Sequence, residues 1–237
     1  MANLIVDPEF WEIFPAGQIN VLVVKGIKNQ AKAEEEPYFK ELLAKAVHEA
    51  KNFLIEETFS QNDVIVQWRK AFTQFKTKKG ARSSIEALLK RVSQERIFQP
   101  INPLVDLYNS VSLTHGVPCG GEDLASLEGD LHLGKAQGGE AFLPLGTEKS
   151  APALPEEIIY YDQAGAVCRC LNWREAQRTM LTEKTNSAVL VIEAVYPQQI
   201  ARSEQAIEAL KTLVEQYFHV ESSLWKLTKA EPIAEWD

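Results

Sequence analysis

The chain has 237 residues and a formal net charge of −8, with 45% hydrophobic and 24% charged residues. This composition is typical of a globular protein. It excludes a mainly disordered chain, a protein with long membrane spans, and a strongly basic protein that coats nucleic acid. The N-terminus, MANLIVDPEF, lacks the basic start and long apolar run of a secretory signal, so we expect a cytoplasmic protein without a membrane partner.

Residues 1–100 are predicted to be mostly helical after two short strands at residues 4–6 and 19–25. Pro37 is expected to open a first helix, because proline suits the first helical turn. Asp63 is the expected N-cap of a second helix, and Ser83 or Ser84 that of a third. Pro100 ends this helical portion.

A basic run lies between Trp68 and Arg96, where nine Lys and Arg residues stand against two Glu. The run therefore carries +7, which leaves −15 for the rest of the chain. It is either the solvated side of two helices or a surface that binds a polyanion. In the second case the affinity should fall with salt.

Residues 101–133 have an order that is hard to explain as generic globular sequence. Asn102 and Pro103 open a predicted helix whose apolar residues recur at helical spacing, and Gly116 ends it. Cys119–Asp123 follows as a predicted loop with two glycines, and a strand is expected at residues 131–133. Adjacent glycines allow a sharp turn or the close approach of a ligand, so this stretch is predicted to frame a site.

The pattern then changes to strands, which are predicted at residues 140–145, 157–161 and 166–170, with a hairpin turn at 162–165. The polar segment 172–175 is unsuited to a core strand and rich in recognition groups. Residues 187–196 form the strongest predicted strand, buried on both faces. Its charged residue, Glu193, either faces out at a sheet edge or is held in a pocket for its chemistry. Residues 203–217 are predicted as a last amphipathic helix.

The three cysteines are an odd number, which favours free thiols in a reducing compartment over a disulfide framework. Cys168 and Cys170 are interpreted as small buried residues. The alternative, a metal site, needs a second ligand cluster, and none of the four histidines forms one in sequence. We therefore expect neither a metal nor a cofactor.

The motifs of the C-terminal half occur in a recognisable order: NPLVDLYNSVSLTHGVPCGGEDL, EGDLHLGKA, GGEAFLPLG, a hairpin, a T-x-x-T turn and a strand ending VIEAV. This order resembles the tRNA-editing (B-three/B-four) domain of the phenylalanyl-tRNA synthetase beta subunit, and more closely the free-standing proteins built from that domain. The resemblance covers about residues 101–195, and in the free-standing group also Trp68-Arg69 and Arg82-Ser83-Ser84. Each motif is weak alone, but their shared order makes chance similarity improbable.

The resemblance implies an α+β fold with three layers, β/β/α, preceded by the mostly helical portion 1–100. Residues 101–196 would form the tRNA-binding core and 197–237 a C-terminal helix and tail, all within one intertwined domain, 1–237. The implied substrate pocket has a helix wall, a glycine turn, a facing loop and an acidic strand end. Its residues are Tyr108, Asn109, Pro118, Gly120, Gly121, Glu122, Asn172, Trp173, Arg174 and Glu193.

Three positions depart from the family pattern. The bacterial synthetase has histidine at the position of Gly120 and small glycine-rich residues at 172–174, and the free-standing proteins typically have arginine at the position of Gly134. These changes alter the pocket floor, so specificity for tyrosine does not carry over. The chain also lacks the catalytic elements of a synthetase, so ligase activity is not implied.

The function implied is trans-acting hydrolysis of mischarged aminoacyl-tRNA by a positioned water. Glu193 would orient the water or bind the substrate's α-amino group, Asn172 would help to hold the oxyanion, and Trp173 would stack on the acyl side chain or terminal adenine. A thiol mechanism with Cys119 and His115 is disfavoured, since closeness in sequence is not geometry. Besides Arg174, the residues expected to contact tRNA phosphates are Arg69, Lys76, Lys78, Lys79, Arg82 and Arg178.

The alternative is a module of the same fold that binds tRNA or an amino acid without hydrolysis. Loss of the histidine favours that module, and retention of Glu193 disfavours it. An unrelated small-molecule enzyme or a protein-interaction role forms a third, residual class. DNA is not an expected partner, and the oligomeric state is not predicted.

Overall fold

The computed structural model describes residues 2–236. In chain order, its strands and helices are β1 (Ala2–Val6), α1 (Pro8–Ile13), β2 (Gln18–Lys25), α2 (Glu36–Ala50), α3 (Asp63–Ala71), α4 (Ser84–Ser93), α5 (Pro103–His115), β3 (Cys119–Asp123), β4 (Leu131–Lys135), β5 (Ile158–Asp162), β6 (Gly165–Arg169), β7 (Arg174–Glu175), β8 (Ser187–Ala194), α6 (Pro197–Phe218), β9 (Ser222–Leu227) and β10 (Ile233–Trp236).

The strands form two sheets, and each sheet takes strands from both ends of the chain. The six-stranded sheet has the order β10-β1-β4-β5-β6-β7, and the four-stranded sheet has the order β3-β8-β2-β9. In the first sheet β1 runs parallel to β4, whereas β4, β5, β6 and β7 follow one another as antiparallel neighbours. In the second sheet β8 lies in the centre and pairs antiparallel with β2 and β3.

The two faces of β8 show how the layers are stacked, because successive residues of a strand point to opposite faces. Val189 and Val191 belong to the hydrophobic core that also contains Tyr160 and Val167 of the six-stranded sheet. Leu190 packs in a second core with α5 and α6. The fold is therefore α+β, with a six-stranded sheet, a four-stranded sheet and a helical layer, as the family resemblance implied.

The helix that carries part of the predicted site, α5, has the boundaries that its sequence indicates. Asn102 caps it by accepting a hydrogen bond from the Val105 N–H at 3.1 Å, and Pro103 occupies the first turn. Gly116 ends it in the left-handed conformation, with φ of 61°. These two ends fix the position of the helix along the sheet beneath it.

The glycine segment Cys119–Asp123 corrects one prediction, because it is a strand and not a loop. It pairs along its whole length with β8, from Cys119 opposite Ile192 to Asp123 opposite Ala188. A Cβ on Gly121 would lie 2.4 Å from the Leu190 side chain, so only a residue without a side chain fits against the helical layer here. The glycines thus serve close packing at a sheet edge.

Other boundaries also differ from the predictions. Residues 140–145 form no strand beyond an isolated bridge between Pro144 and Ala176, and Pro144 has no N–H that could extend this bridge into a ladder. Asn62, not Asp63, takes the N-cap position of α3, and its side chain makes no capping bond to the helix. The last helix begins at Pro197, before the predicted residue 203, and α1, β9 and β10 were not predicted.

Candidate functional site

The site lies where the edge strands of the two sheets, β3 and β7, meet at the same side of the molecule. A cavity of about 370 Å³ opens there, here called the edge pocket. Its walls come from Ser84 of α4, from Tyr108 and Asn109 of α5, from Cys119 of β3, and from residues 172–175. The walls are thus built by segments far apart in the chain.

The edge pocket collects five of the predicted substrate residues: Tyr108, Asn109, Asn172, Trp173 and Arg174. The remaining ones lie around it. Gly120 is beneath Asn172, and Gly121 faces the helical layer instead of the pocket. Pro118 directly precedes β3, and Glu122 and Glu193 are buried behind the walls.

Asn172 is held by a turn with unusual backbone geometry. Cys170 and Leu171 both adopt positive φ, 51° and 59°, which side-chain-bearing residues rarely do. The turn is fixed because the Leu171 N–H donates to the carbonyl of Ile158 at 2.8 Å, and Leu171 itself is fully buried. Strain of this kind persists only where the surroundings impose it, often at binding sites.

One polar atom of the Asn172 side chain is hydrogen-bonded, and the other has no hydrogen-bond partner. Its Oδ1 accepts a hydrogen bond from the Ser84 hydroxyl at 3.2 Å, whereas its Nδ2 is buried without a hydrogen-bond partner. An unpaired buried donor costs free energy, and a ligand oxygen would satisfy it. Asn172 therefore has an unpaired hydrogen-bond donor at the wall of the pocket.

The side chain of Asn172 packs over Gly120, in the space into which a side chain at position 120 would project. A Cβ on Gly120 would lie 3.4 Å from the Asn172 Cβ and 3.7 Å from its Nδ2. A side chain as large as histidine at position 120 would therefore have to displace Asn172. The absence of a side chain at Gly120 thus leaves room for Asn172 in its observed position.

Glu193 is buried in the centre of the four-stranded sheet, with 1% of its surface exposed, so it does not face out at a sheet edge. Its Oε1 accepts a hydrogen bond from the Tyr160 hydroxyl at 3.0 Å, and its Oε2 has no hydrogen-bond partner. Burial raises the pKa of Glu193 to about 8, an effect that Tyr160 and the nearby backbone N–H of Asn172 only partly offset. Glu193 therefore lies behind Asn172 and not in the pocket wall.

Two further carboxyl groups, those of Glu175 and Glu122, lie closer to the pocket than Glu193 does. Glu175 is half-buried in the wall, and Glu122 is buried with one oxygen, Oε2, unpartnered. Burial raises the pKa of Glu175 to about 7. Burial raises the pKa of Glu122 well above its usual range, and the neighbouring charge of Glu175 raises it further. Sequence analysis missed Glu175, since its place depends on β7 pairing with β6.

The thiols of the chain are not activated. Cys119 touches the pocket, but burial raises the pKa of its thiol well above the usual range, with a smaller contribution from the charge of Glu193. His115 does not line the pocket, and burial lowers its pKa. Cys168 and Cys170 are buried free thiols.

Over residues 2–236 no group of three or more His, Cys, Asp or Glu side chains could hold a metal ion.

A second cavity, the basic cleft, adjoins the edge pocket. Its volume is about 460 Å³, and it shares Trp173 and Arg174 with the pocket. Lys78, Lys79 and Lys149 also line it, and none of these lysines forms an ion pair with another described residue. Lys149 was not predicted as a site residue. The cleft is a surface that attracts anions directly beside the pocket.

The other predicted phosphate contacts lie in different surroundings. Arg69 donates to Glu86 at 3.0 and 2.7 Å, and Arg178 donates to Asp162 at 2.9 and 2.7 Å. These two guanidinium groups are thus engaged in internal ion pairs. Lys76 and Arg82 are exposed on the segment between α3 and α4 but do not line the cleft.

Gly134 has a structural reason to lack a side chain. A Cβ there would lie 2.1 Å from Oδ2 of Asp7. Asp7 is held in place by the Tyr161 hydroxyl at 2.7 Å and by Nδ1 of His132 at 2.9 Å. Asp7 therefore takes the space into which an arginine at position 134 would project.

The fold and the edge pocket define a β/β/α domain with a site at its open sheet edge. The family model of the B3/4 domain matches residues 67–230, more than half of the chain, so the chain belongs to the B3/4 domain family. This result confirms the family inferred from the order of the sequence motifs. No curated protein sequence matches the chain.

Among solved structures, the chain is similar to an N-terminal fragment of the phenylalanyl-tRNA synthetase beta subunit from Pyrococcus horikoshii. The identity is 11% and the TM-score 0.49, over 94% of this chain and 53% of that chain. The chain therefore spans about half the length of that fragment.

None of the helices within residues 2–236 has the length and apolarity needed to cross a membrane.

Proposed function

We propose that the protein is a trans-acting aminoacyl-tRNA deacylase, which hydrolyses the ester of mischarged tRNA with a positioned water. The observation that carries this proposal is the direct contact between the edge pocket and the basic cleft, which share Trp173 and Arg174. The 3′ end of an aminoacyl-tRNA has an uncharged sugar and base next to a chain of phosphates. A pocket that opens onto a lysine-lined cleft suits both parts of this ligand.

Asn172 is the proposed catalytic residue. Its unpaired Nδ2 is buried beside the pocket, where it can donate to the oxyanion that forms when water attacks the ester carbonyl. Loss of one such donor typically lowers a rate constant by about 100- to 1000-fold. Tyr108 and Trp173 supply aromatic surface for the acyl side chain or the terminal adenine, and Asn109 adds a second amide.

Glu193 is proposed to act through Asn172. Because its side chain is 1% exposed, direct contact with the water or with a substrate amino group would require the turn at residues 170–173 to move aside. In the observed arrangement Glu193 lies behind Asn172, near its backbone N–H. We therefore assign Glu193 a positioning role in the deacylase proposal. Glu193→Gln is expected to reduce deacylation while leaving the fold intact.

The second candidate function is a non-catalytic module that binds tRNA or an aminoacyl group. The burial of Glu193 favours it, because Glu193 is the carboxylate expected to act in the reaction and it does not reach the pocket. This module would use the same pocket and cleft.

Purified protein with a panel of labelled aminoacyl-tRNAs separates the two functions. Loss of the ester, slowed in Asn172→Ala but not in the exposed-loop control Glu148→Gln, supports the deacylase. A salt-dependent gel shift without ester loss supports the binding module. If neither occurs with any tRNA in the panel, both proposals are wrong.

A further inference from the structure

The paired carboxyl groups Glu122 and Glu175 have no role in the deacylation step described above. They approach each other from the edge strands of the two opposing sheets. Glu122 on β3 is paired with Val189 of β8, and Val189 faces the space between the sheets. Residues directly opposite on neighbouring strands share a face, so Glu122 also points into that space.

Glu175 reaches the same space from the six-stranded sheet. Its register partner is Cys168, whose partner in turn is Tyr160, and both belong to the core between the sheets. Glu175 is therefore on the inner face of its sheet, and because β7 is the last strand it also borders the edge pocket. The two carboxyl groups form one acidic corner, with Glu175 in the pocket wall and Glu122 buried behind it.

This corner has little internal compensation for its charge. Oε2 of Glu122 has no hydrogen-bond partner. The nearby cation Arg178 is already bonded to Asp162 through two hydrogen bonds, and Arg174 is exposed. The charged and titratable groups around the pair are Tyr108, Cys119, Tyr160, Asp162, Cys168, Arg174, Arg178 and Glu193, while α4 presents only uncharged side chains to the pocket. An acidic corner in a closed wall is matched best by a cation from the ligand.

We infer that Glu175, backed by Glu122, receives the α-ammonium group of the substrate in the edge pocket. The inference rests on the proposed function and names its substrate class: esters of amino acids with a free α-amino group. N-acylated esters, such as those of peptidyl-tRNA, lack this cation and are rejected. A charge-assisted hydrogen bond of this kind corresponds to a discrimination of about 10- to 100-fold in affinity.

Stable amide analogues of the aminoacyl 3′ end test the inference without hydrolysis. The probes are the alanyl, seryl and tyrosyl amides of 3′-amino-3′-deoxyadenosine, each with a free and with an N-acetylated α-amino group, and the readout is calorimetric affinity. For the amide that binds best, the free amine is expected to bind about 10- to 100-fold more tightly than its acetylated form. Glu175→Gln should bring the two affinities together, and Glu175→Asp should keep part of the difference.

The exposed carboxylate of Glu148 supplies the matched control, since Glu148→Gln removes one negative charge without touching the pocket and should leave the discrimination unchanged. Lowering the pH below the Glu175 pKa of about 7 should weaken binding of the free amines only. The comparison of free and acetylated amides uses the wild-type protein, so it tests the inference even if Glu175→Gln does not fold.

Equal affinity of wild-type protein for free and acetylated amides would overturn the inference and leave the proposed function standing. Discrimination that survives unchanged in folded Glu175→Gln would also overturn it. By contrast, failure of every amide to bind, together with no ester loss and no tRNA gel shift, would overturn the proposed function itself.

Discussion

Two sets of buried carboxyl groups in this protein have opposite surroundings. Glu157 is fully buried and faces Arg169, whose Nε donates to it at 2.7 Å, and Arg169 also donates to the carbonyl of Ala151 at 2.7 Å. Glu122 and Glu193 are buried too, but each keeps an oxygen without a hydrogen-bond partner. The first set is satisfied within the protein, and the second is not.

The difference in hydrogen bonding indicates a structural role for the first set and a role in binding or chemistry for the second. A buried ion pair with all its partners holds the loop at Ala151 against the six-stranded sheet, and its loss leaves an uncompensated charge. Unsatisfied buried polar groups cost stability, so they persist where they serve binding or chemistry. Three residues with such atoms, Glu122, Asn172 and Glu193, lie in the wall of the edge pocket or behind it. Four predictions test how the satisfied ion pair, on one side, and the pocket with its surroundings, on the other, contribute to stability and binding.

The largest effect is expected for Arg169→Met, which leaves Glu157 buried without its cation. The free energy of unfolding should fall by roughly 3 to 5 kcal/mol, as for other broken buried pairs. Urea unfolding followed by circular dichroism measures it. The double variant Arg169→Met/Glu157→Gln removes the stranded charge and should recover part of the loss. A single variant as stable as the wild type would show that the pair does not hold the fold.

Glu193→Gln should change how stability depends on pH. The pKa of Glu193 is about 8 in the folded protein, so between the ordinary carboxyl pKa and that value the folded state holds a proton that the unfolded state has released. Wild-type stability from this group therefore falls as the pH rises, and glutamine removes the fall. The stability of the variant relative to wild type should grow by about 1.4 kcal/mol per pH unit between about pH 5 and pH 7.

Urea unfolding at a series of pH values measures this difference. Glu148→Gln, on an exposed loop, is the matched control and should show a constant difference from wild type. If Glu193→Gln also shows a constant difference, Glu193 is not protonated in the folded protein and the proposed origin of its raised pKa is wrong.

The adjacent glycines of β3 should respond differently to alanine. Gly121→Ala places a Cβ 2.4 Å from the Leu190 side chain, and such overpacking costs roughly 1 to 3 kcal/mol. Gly120→Ala meets Asn172 at 3.4 Å, an ordinary contact, so stability should stay close to that of the wild type. Thermal unfolding of the two variants side by side checks this. Equal losses would mean that β3 is not packed as described.

The smallest effect is expected in the basic cleft. Lys78→Ala/Lys79→Ala should weaken tRNA binding and reduce the slope of log affinity against log salt by up to about 2, roughly 1 for each phosphate that is no longer bound. Filter binding at several salt concentrations measures the slope. Lys229→Ala, between β9 and β10 at the opposite edge of the sheets, should leave it unchanged. An unaltered slope in the double variant would place the tRNA elsewhere.

Sequence alone predicted the parts of the fold that depend on local signals. The caps of α5, the apolar strand β8 and the hairpin between β5 and β6 follow from Asn102, Gly116 and the turn at residues 162–165. β3 was mistaken for a loop, because its glycines are required by packing against Leu190, which lies far away in the chain. The short strands β9 and β10 carry no strong local pattern and form only by pairing with β2 and β1.

The candidate site was predictable only to the extent that family motifs marked its residues. Tyr108, Asn109 and the segment 172–174 line one pocket, as the resemblance led us to expect. Glu175 was missed because an edge strand of two residues has no period to detect. The burial of Glu193 behind Asn172 is equally invisible in the sequence, since it results from the stacking of two sheets.

The most direct test of the edge pocket as the place of ester hydrolysis is single-turnover deacylation by Asn172→Ala. The variant loses the unpaired donor while the surrounding walls remain. For a mischarged tRNA that the wild type hydrolyses, the rate constant should fall by about 100-fold or more while the tRNA dissociation constant stays unchanged. An unchanged rate constant in the folded variant would contradict the assignment of hydrolysis to this pocket.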